Sequence, residues 1–459
     1  MSRCLWAFLV IATVGCTRQP PAVAPPTPQS QRAALETPPL AEDIDPRDDV
    51  VHIQLRAAPK GASDGPFVYA YNAQNPGPLI RGRVGDRLIV DLDNALASPT
   101  TIHWHGLKVP FAMDGVAWMG APVAPGGTFR YAFDLSHPGT FWYHPHFNTA
   151  QQVDGGLYGA LIVDDADSPQ ADADLVLLFD TQAEFDPHVH ALPDGPAGRR
   201  PHGHAKRLPV WRVNGLTGPV TYTAQGGTVV RARLINVSNS GFLDLRWPGI
   251  RLIATDQGFL PSLQRPDRVL LAPGDRAEVE WLIGERGFSV LNAPYSINGG
   301  PAHGEILPII EVGVDSPQTA PEGLPWPFTG EAVTPDPGYY DILYTFHGSD
   351  RTGIWLINGE RFPNITIETV PFGAETIIEI RNLSPTEHPF HLHGLHFEVL
   401  AVNGEPPPFK MVEDTYNLRI RDRLRIRVVA DNPGDWMTHC HILPHAEDGM
   451  MTVLRVLDP

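Results

Sequence analysis

One phrase typical of a β-strand occurs three times along this chain, at intervals as long as a whole domain. It covers residues 85–94, 227–236 and 374–382, alternates in the manner of a strand, and ends each time in asparagine. These asparagines, Asn94, Asn236 and Asn382, lie 142 and 146 positions apart, far beyond the repeat length of a solenoid. The spacing therefore predicts three tandem copies of one domain.

The composition predicts that each copy is built of strands. Short runs of Val, Ile, Leu and Thr alternate with turn residues, and the 459 residues include 48 Pro and 43 Gly, as is typical of β-sandwiches. An Ala-Pro-Gly phrase at 124–126, and again at 272–274, opens a further strand in the first two copies. One hydrophobic core does not organise so long a chain. We therefore predict an all-β fold of three tandem Greek-key β-sandwiches, at residues 48–165, 166–318 and 330–459.

The first 47 residues have the pattern of a leader and a tether. Residues 1–16 combine Arg3 with an apolar run too short to span a membrane permanently, as signal peptides do. Residues 13–16 resemble a bacterial lipoprotein cleavage site, except that Thr13 stands where Leu is usual. The alternatives are thus a lipid on Cys16 and ordinary signal-peptide cleavage. Residues 17–47, rich in Pro, Ala and Gln, predict an extended tether, and we expect export to the bacterial periplasm or cell envelope.

The formal net charge of −18 indicates which partners the chain avoids. Nucleic acid and anionic membrane surfaces would repel it, because no basic stripe offsets the charge. A neutral or cationic small molecule fits better, a lipid on Cys16 is the one expected link to a membrane, and we expect a monomer. Because Cys4 and Cys16 lie in the leader, Cys440 is the single thiol of the folded part, and no internal disulfide is expected.

Many of the histidines form pairs at matching places in the first and third copies. His103 follows Asn94 by nine residues, and His391 follows Asn382 by nine. Each opens a His-x-His pair, and a second pair stands later in the same copy. The four pairs are His103 and His105, His144 and His146, His391 and His393, and His439 and His441. Residues i and i+2 of a strand face the same side, so each pair presents two imidazoles to one surface.

These pairs predict a metal cluster between the first and third copies. If the two domains pack face to face, eight imidazoles converge, which is more than one metal ion takes. The middle copy has Leu245-Arg246-Trp247 at the first location and no histidine there. We therefore expect the middle domain to act as a spacer.

The third copy has four further residues of ligand type that the first lacks: His388, Cys440, His445 and Met450. Two imidazoles, a thiolate and a weakly bound thioether make the environment of a blue-copper electron-transfer site. Cys440 is therefore expected to be a copper-bound thiolate rather than a free thiol. Because it stands between His439 and His441, the mononuclear site and the cluster are joined through the backbone, which provides an electron route.

The remaining histidines and methionines have plainer interpretations. Histidines without a partner at ligand spacing are expected to be ordinary hydrogen-bonding residues: His52, His137, His303, His347 and His396. Four more are expected in a surface loop, with a loop over the substrate entrance as the alternative: His188, His190, His202 and His204. Met411, Met437 and Met451 are expected to pack near the mononuclear copper, with Met411 as the candidate for a substrate contact.

As a set, these motifs resemble those of the multicopper oxidases, the family of laccases, bacterial cuprous oxidases and spore-coat oxidases. The resemblance spans residues 50–459 and rests on four motifs: His103-Trp104-His105-Gly106, His144-Pro145-His146, the run from His388 to Gly394, and the run from His439 through Met450. It implies three cupredoxin-like domains and an oxidase that passes single electrons from a reducing substrate to O2, forming water.

The resemblance also implies four copper ions and assigns their ligands. Type 1 copper would be held by His388, Cys440, His445 and Met450, and type 2 copper by His103 and His391. The binuclear type 3 pair would be held by the remaining six: His105, His144, His146, His393, His439 and His441. An axial Met450, rather than Leu or Phe, implies a lower potential at type 1 and hence easily oxidised substrates.

Three acidic residues follow from the same resemblance. Asp114 matches the family acid beside the cluster, where it would relay protons; the alternative is a turn-stabilising Asp before Gly115. Ala446 stands where some cuprous oxidases have Glu, and Glu447 is the expected substitute. Asp414 matches an acidic residue near type 1 copper in such enzymes, where it would contact a metal-ion substrate, with a loop carboxylate as the alternative.

The substrate is predicted in two ways. The first hypothesis is a laccase-like oxidase of phenols or aromatic amines, and the alternative is an envelope cuprous oxidase for copper tolerance. Many cuprous oxidases carry a Met-rich insert, whereas this chain has only seven Met in total. A copper store is disfavoured, because storage does not require the Cys440 bridge.

Overall fold

The computed structural model of the protein describes residues 33–61, 68–117, 120–166, 168–182, 210–325 and 330–459. Ala33–Pro459 form one compact unit. The predicted leader, Cys4, Cys16, the first half of the tether and the segment with His188, His190, His202 and His204 lie outside the described residues. Within those residues, no helix has both the length and the apolar character needed to cross a membrane.

The first sandwich, between residues 50 and 164, has two four-stranded sheets. Its strands are β1 (Val50–Pro59), β2 (Tyr69–Tyr71), β3 (Ile80–Arg83), β4 (Arg87–Asn94), β5 (His103–His105), β6 (Thr128–Asp134), β7 (Gly139–His144) and β8 (Gly159–Asp164). The sheet orders are β2-β1-β4-β6 and β3-β8-β7-β5. Leu55, Leu88, Phe141 and Leu161 come from both sheets and pack into one core. A 3-10 turn (Phe111–Met113) and helix α1 (Thr149–Asp154) lie in its connections.

The middle sandwich, between residues 173 and 315, has sheets of seven and five strands. Its strands are β9 (Ala173–Gln182), β10 (Val210–Val213), β11 (Leu216–Thr217), β12 (Val220–Gln225), β13 (Val229–Asn236), β14 (Leu243–Arg246), β15 (Leu252–Thr255), β16 (Gly258–Gln264), β17 (Val269–Leu271), β18 (Arg276–Leu282), β19 (Phe288–Ala293) and β20 (Leu307–Asp315). The sheet orders are β11-β10-β9-β13-β18-β15-β16 and β12-β20-β19-β14-β17. Leu234, Leu245, Val279 and Ile310 belong to its core.

The third sandwich, between residues 342 and 456, has sheets of six and five strands. Its elements are β21 (Ile342–Ser349), β22 (Ile354–Ile357), β23 (Glu368–Val370), β24 (Glu375–Asn382), β25 (His388–Leu392), β26 (Phe397–Val402), β27 (Val412–Glu413), β28 (Thr415–Leu418), β29 (Arg423–Val429), β30 (Gly434–Cys440), helix α2 (Leu443–Glu447) and β31 (Met451–Val456). The sheet orders are β22-β21-β24-β29-β26-β27 and β23-β31-β30-β25-β28. The predicted all-β sandwich fold is confirmed, while the exact domain limits stay predictions.

The three strands that end in asparagine occupy the same place in their sandwiches. β4, β13 and β24 each pair in parallel with the first strand of their own sandwich and antiparallel with the strand that follows in the sheet. Each terminal asparagine is buried, donates from its amide to backbone carbonyls, and accepts the N–H two residues on. This Asx turn explains the repeated asparagine, because it turns the chain toward the strand that carries histidines in the first and third copies.

The sandwiches meet one another through apolar and polar contacts. Trp142 and Ile162 of the first, Ile235 of the middle and Leu443 of α2 belong to one buried cluster. The first and third sandwiches also touch directly, since the Lys108 ammonium lies 2.8 Å from an Asp431 carboxylate oxygen and the Asn432 amide donates to the Val109 carbonyl. This direct contact is the condition under which the paired histidines can face each other.

Candidate metal centre

The paired histidines lie on neighbouring strands. In the first sandwich β5 pairs with β7, with His103 opposite His144, and in the third β25 pairs with β30, with His391 opposite His439. All eight imidazoles are buried except that of His146, which is half-buried. The alternation of β5 directs His103 and His105 to one side, as the spacing predicted, while His146, His393 and His441 lie one or two residues beyond the ends of their strands.

The two sets of imidazoles meet across the contact between sandwiches. His103 stacks on His393 with ring centroids 3.8 Å apart, and His105 stacks on His391 at 3.9 Å. The other two pairs also join first and third sandwiches: the His144 and His441 centroids are 5.8 Å apart, and those of His146 and His439 are 5.4 Å apart. The structure therefore brings all eight together in one cage.

The hydrogen bonds of these rings leave inward nitrogens free for a ligand. Backbone carbonyls accept the Nδ1 protons of His103, His144, His391 and His439 at 2.9–3.1 Å. Among the described residues, several buried ring nitrogens have no hydrogen-bond partner: Nε2 of His103, His144 and His391, Nδ1 of His105, and both nitrogens of His441. Buried polar atoms without partners are costly, and a metal ion would satisfy them.

Burial disfavours the charged form of most of these imidazoles. It lowers the pKa of His105, His144, His146, His393 and His441 well below the usual value for imidazole, and lowers that of His439 to about 3. Neutral imidazole is the form that binds a metal. Ligand atoms lie within 4.8 Å of one another in more than one group, including His146, His393 and His439, and also His103, His391 and His393. The cage thus has room for several ions.

A second group of ligand type lies in the third sandwich alone. His388 Nδ1 is 3.4 Å and His445 Nδ1 is 3.8 Å from the Cys440 sulfur, and Trp355 stacks on the His445 ring at 3.7 Å. Met450 is fully buried, and its carbonyl accepts the Cys440 N–H. Burial raises the pKa of the Cys440 thiol, so a nearby cation is needed to hold it as a thiolate. This donor set fits a thiophilic metal such as copper.

Asp114 lies inside the cage. One carboxylate oxygen is 2.9 Å from His393 Nδ1 and the other is 3.2 Å from His103 Nδ1, and the side chain is 1% exposed. The next residue must be glycine, because a Cβ on Gly115 would lie 1.8 Å from the Ile102 carbonyl oxygen and φ is +77°. The tight turn at Gly115 therefore brings Asp114 against one imidazole from each sandwich.

Asp414 lies at the cage too, which differs from the expected place near the mononuclear site. β28 pairs with β25, with Thr415 opposite His391, and Asp414 directly precedes β28. One Asp414 oxygen is 3.1 Å from His105 Nε2 and 3.4 Å from His391 Nδ1. Although burial opposes ionisation, the Arg276 guanidinium and the two imidazoles hold the pKa of this carboxyl well below its usual range. A substrate in solvent does not reach a carboxylate that is fully buried.

The middle sandwich contributes to the cage, although the sequence predicted only a spacer. The Ala-Pro-Gly phrase at 272–274 ends on Gly274, where φ is +92° and a Cβ would lie 3.0 Å from the His441 ring and 3.1 Å from that of His105. Arg276 follows and bonds to Asp414. In the sequence this phrase marks a repeat only; Arg276 stands where the first copy has Thr128, another polar residue, so no local signal distinguishes it.

Glu447 and two of the methionines lie at a cavity of about 340 Å³. Its lining includes His146 and His439 of the cage together with Met437, Met451 and Glu447. Glu447 is exposed and accepts the Ala150 N–H of α1 at 2.9 Å. The cavity therefore leads to the histidine cage. Met437 and Met451 thus lie beside the cage, whereas the sequence predicted them near the mononuclear copper. Met411 instead packs, partly buried, against the core of the third sandwich.

A larger cavity, of about 820 Å³, lies in the middle sandwich and has aromatic walls. Trp211, Phe242 and Tyr295 line it, and the last two stack with centroids 5.6 Å apart. The Tyr295 hydroxyl donates to the buried Glu387 carboxylate at 2.9 Å. Glu387 directly precedes His388, so the cavity wall is linked to the mononuclear group.

The other histidines behave mostly as isolated polar residues. His52 lies 2.9 Å from an Asp91 oxygen, His347 bonds to Thr345, and His303 lines the aromatic cavity. His137 and His396 do meet, with ring centroids 4.6 Å apart, and His396 Nε2 donates to the Gly106 carbonyl.

Comparison with known proteins gives a consistent result. Two family models, both described as multicopper oxidase, match residues 57–168 and 335–459. Among curated proteins, the chain is 29% identical to the multicopper oxidase MmcO of Mycobacterium tuberculosis, over 85% of this chain and 84% of that protein. It is 25% identical to a copper resistance protein A homolog of Pseudomonas syringae pv. tomato (84% and 88% covered) and 26% identical to a laccase of Trametes maxima (83% and 88%).

Solved structures agree with the sequence relatives. A multi-copper oxidase from Pseudomonas thermotolerans is 30% identical, with a TM-score of 0.73 over 89% of this chain and 99% of that one. A multicopper oxidase from Campylobacter jejuni, described as a metallo-oxidase, is 23% identical, with a TM-score of 0.76 over 93% and 96%, and this likeness bears on the fold alone.

Proposed function

The chain belongs to the multicopper oxidase family, and from that premise we propose that it couples one-electron oxidation of phenols or aromatic amines to the four-electron reduction of O2 to water. Members of this family are copper-dependent oxidases that use O2, so the enzyme class follows from the family. The ligand set and the reducing substrate are what the proposal adds.

Four copper ions are assigned to the two donor groups. The type 1 ion is assigned to His388, Cys440, His445 and Met450, the type 2 ion to His103 and His391, and the type 3 pair to His105, His144, His146, His393, His439 and His441. Support comes from the unpartnered inward nitrogens and the buried thiol. Bound copper would supply the one-electron steps and the site of O2 reduction.

The protein contributes the path between the two donor groups. Cys440 lies 3.4 Å from His388 Nδ1 and is covalently continuous with His439 and His441. An electron that enters at the mononuclear site thus has a route of one residue to the cage. With copper bound in both donor groups, this short backbone link would carry electrons between them and so support the four-electron reduction of O2.

Each O2 converted to two waters takes up four protons, and two carboxylates are proposed to deliver them. Asp114 bonds His393 Nδ1 at 2.9 Å within the cage, where a carboxylate can exchange protons with bound water. Glu447 lies at the mouth of the cavity that His146 and His439 line, so it connects solvent to the same place.

The aromatic cavity supports the proposal that phenols or aromatic amines are the substrates. Its Trp211, Phe242 and Tyr295 walls suit an aromatic ring, and its rim residue Glu305 suits an amine or phenol hydroxyl. Tyr295 bonds to Glu387, the neighbour of His388. A net charge of −18 also favours neutral or cationic substrates.

The test is steady-state oxygen uptake by copper-loaded enzyme with a phenol, an aromatic amine, Fe(II) or Cu(I). Tyr295→Ala is expected to raise KM for the phenol roughly tenfold, because one stacking wall is lost, and to leave the rate with Fe(II) unchanged. Tyr295→Phe keeps the wall and tests the Glu387 bond separately. Tyr339→Ala, at a 57% exposed tyrosine, is the control.

Cuprous oxidation is the second candidate, because the curated relatives include a copper resistance protein A homolog. A strong preference for Cu(I) over phenols in the same assay would reverse the ranking. If Tyr295→Ala leaves the KM for the phenol unchanged, the aromatic cavity does not bind this substrate.

Export to the periplasm or cell envelope, with or without a lipid on Cys16, and a monomeric state complete the proposal. The mass of the mature N-terminal peptide distinguishes lipidation from ordinary cleavage. A product that retains residues 1–16 would contradict both.

A further inference from the structure

Arg276 of the middle sandwich is buried where all three sandwiches meet. Its side chain is 0% exposed. The guanidinium donates from Nε to the Thr140 carbonyl of the first sandwich at 3.1 Å, and from Nη2 to the Asp256 carbonyl of its own sandwich at 3.1 Å. It donates from Nη1 to Asp414 Oδ1 of the third at 2.7 Å, and Nη2 contacts the other Asp414 oxygen. One side chain therefore joins three sandwiches.

Asp414 in turn contacts two histidines of the cage. Its Oδ1 lies 3.1 Å from His105 Nε2 and 3.4 Å from His391 Nδ1, and its backbone carbonyl accepts the His391 Nδ1 proton at 3.0 Å. Thr415 Oγ1 lies 3.1 Å from the same two nitrogens. The opposite nitrogens, His105 Nδ1 and His391 Nε2, are buried without a hydrogen-bond partner among the described residues.

We propose that Arg276 is a positioning residue, which holds Asp414 so that His105 and His391 keep their protons on the outer nitrogens and direct their lone pairs into the cage. This inference rests on the proposed copper ligation by these two histidines. It gives the middle sandwich a part in copper binding, although that sandwich contributes none of the assigned ligands.

The geometry requires arginine in particular. A guanidinium binds both oxygens of one carboxylate in a fixed plane, while an ammonium binds as a point charge and leaves the carboxylate free to rotate. Gln257 also donates to Asp414 and to the Gly106 carbonyl, but it carries no charge to replace that of Arg276. Without Arg276 the buried carboxylate would lose its cation and turn away from the imidazoles.

The experiment measures copper retained by the whole protein against a graded chelator, with each copper type followed by its own spectroscopic signal. Arg276→Lys and Arg276→Gln are expected to weaken the type 2 and type 3 ions roughly 10- to 100-fold, which is the range for loss of a residue that orients metal ligands. The blue absorption of the type 1 ion is expected to stay, because its ligands lie outside this network.

Arg233→Gln is the matched control. Arg233 is also a middle-sandwich arginine, 2% exposed, and bonds Thr140 Oγ1 at 2.9 Å, but its carboxylate partners are Asp174 and Glu278. It is expected to lower thermal stability without selective loss of type 2 and type 3 copper. Asp414→Asn, which preserves shape, is expected to weaken copper like Arg276→Gln, and the double variant to add nothing further.

Three results would overturn the inference: full cluster occupancy in both Arg276 variants, an equal loss in Arg233→Gln, or additive losses in the double variant. If Arg276→Gln does not fold, Arg276→Lys and Asp414→Asn decide the matter by the same measurement. A wild-type protein that takes up no type 2 or type 3 copper would instead reject the proposed function, a different outcome from a variant that binds copper as the wild type does.

Discussion

Two buried carboxylates contact different pairs of imidazoles in the cage. Asp114 of the first sandwich contacts His103 and His393, and Asp414 of the third contacts His105 and His391. These are the two pairs of rings that stack across the contact between sandwiches. Each carboxylate thus holds one imidazole from either side, so the cage forms only when both sandwiches are in place.

Cys440 is also important at the scale of single residues, because this one residue connects the two donor groups. Cys440→Ser is expected to abolish the blue absorption and to lower turnover to background, since a hydroxyl does not replace a thiolate as a copper ligand. Absorption spectra and oxygen uptake measure both effects, and type 2 copper should remain detectable. A serine variant that stays blue would show that the ligand is assigned wrongly.

At the scale of elements, the repeated Ala-Pro-Gly phrase has different surroundings in the first and middle sandwiches. Gly126 and Gly274 end the Ala-Pro-Gly phrases of the first and middle sandwiches, and both have positive φ, +73° and +92°. A Cβ on Gly126 would meet nothing within 4 Å, whereas one on Gly274 would meet the rings of His441 and His105. The same turn is therefore free in one copy and part of the cage wall in the other.

The two glycines make a matched pair of variants. Gly126→Ala is expected to cost about 1–2 kcal/mol, the penalty for an L-residue in the left-handed region, and to leave copper content unchanged. Gly274→Ala pays the same penalty and also displaces His441, so it should lose type 3 copper. Thermal unfolding and metal analysis of both variants separate the two effects; equal copper contents would contradict the close approach.

At the scale of the whole molecule, the fold disfavours the charged form of most histidines in the two donor groups. Burial lowers the pKa of His388 and of His439 from 6.5 to about 3. The unfolded chain therefore binds protons between about pH 6.5 and pH 3 that the folded chain does not, and stability falls as the pH falls through this window.

Metal-free protein is accordingly expected to have a melting temperature that falls as the pH falls below about 6.5. Calorimetry of metal-free protein from pH 8 to pH 4 gives the measurement. Copper-loaded protein should lose its metal over the same range, because protons compete for the ligands. A melting temperature that rises as the pH falls to 4 would contradict the burial of neutral imidazoles.

Local pattern was enough to predict much of this protein. The three asparagine-ending strands and the pairing of Cys440 with His445 depend on strand period and short spacings, which a sequence states directly. His388, 52 residues before Cys440, was grouped with them by residue type. Asp114 was placed by resemblance, and the structure puts it beside His393 and His103.

Long-range packing decided the rest. The position of Asp414 depends on which strand pairs with β25, and the contribution of Arg276 and Gly274 depends on how the middle sandwich docks against two others. Neither follows from spacing, because a side chain's partners across sandwiches can be more than a hundred residues away. Local chemistry thus indicated the candidate ligands, while the tertiary structure determined which residues hold them in place.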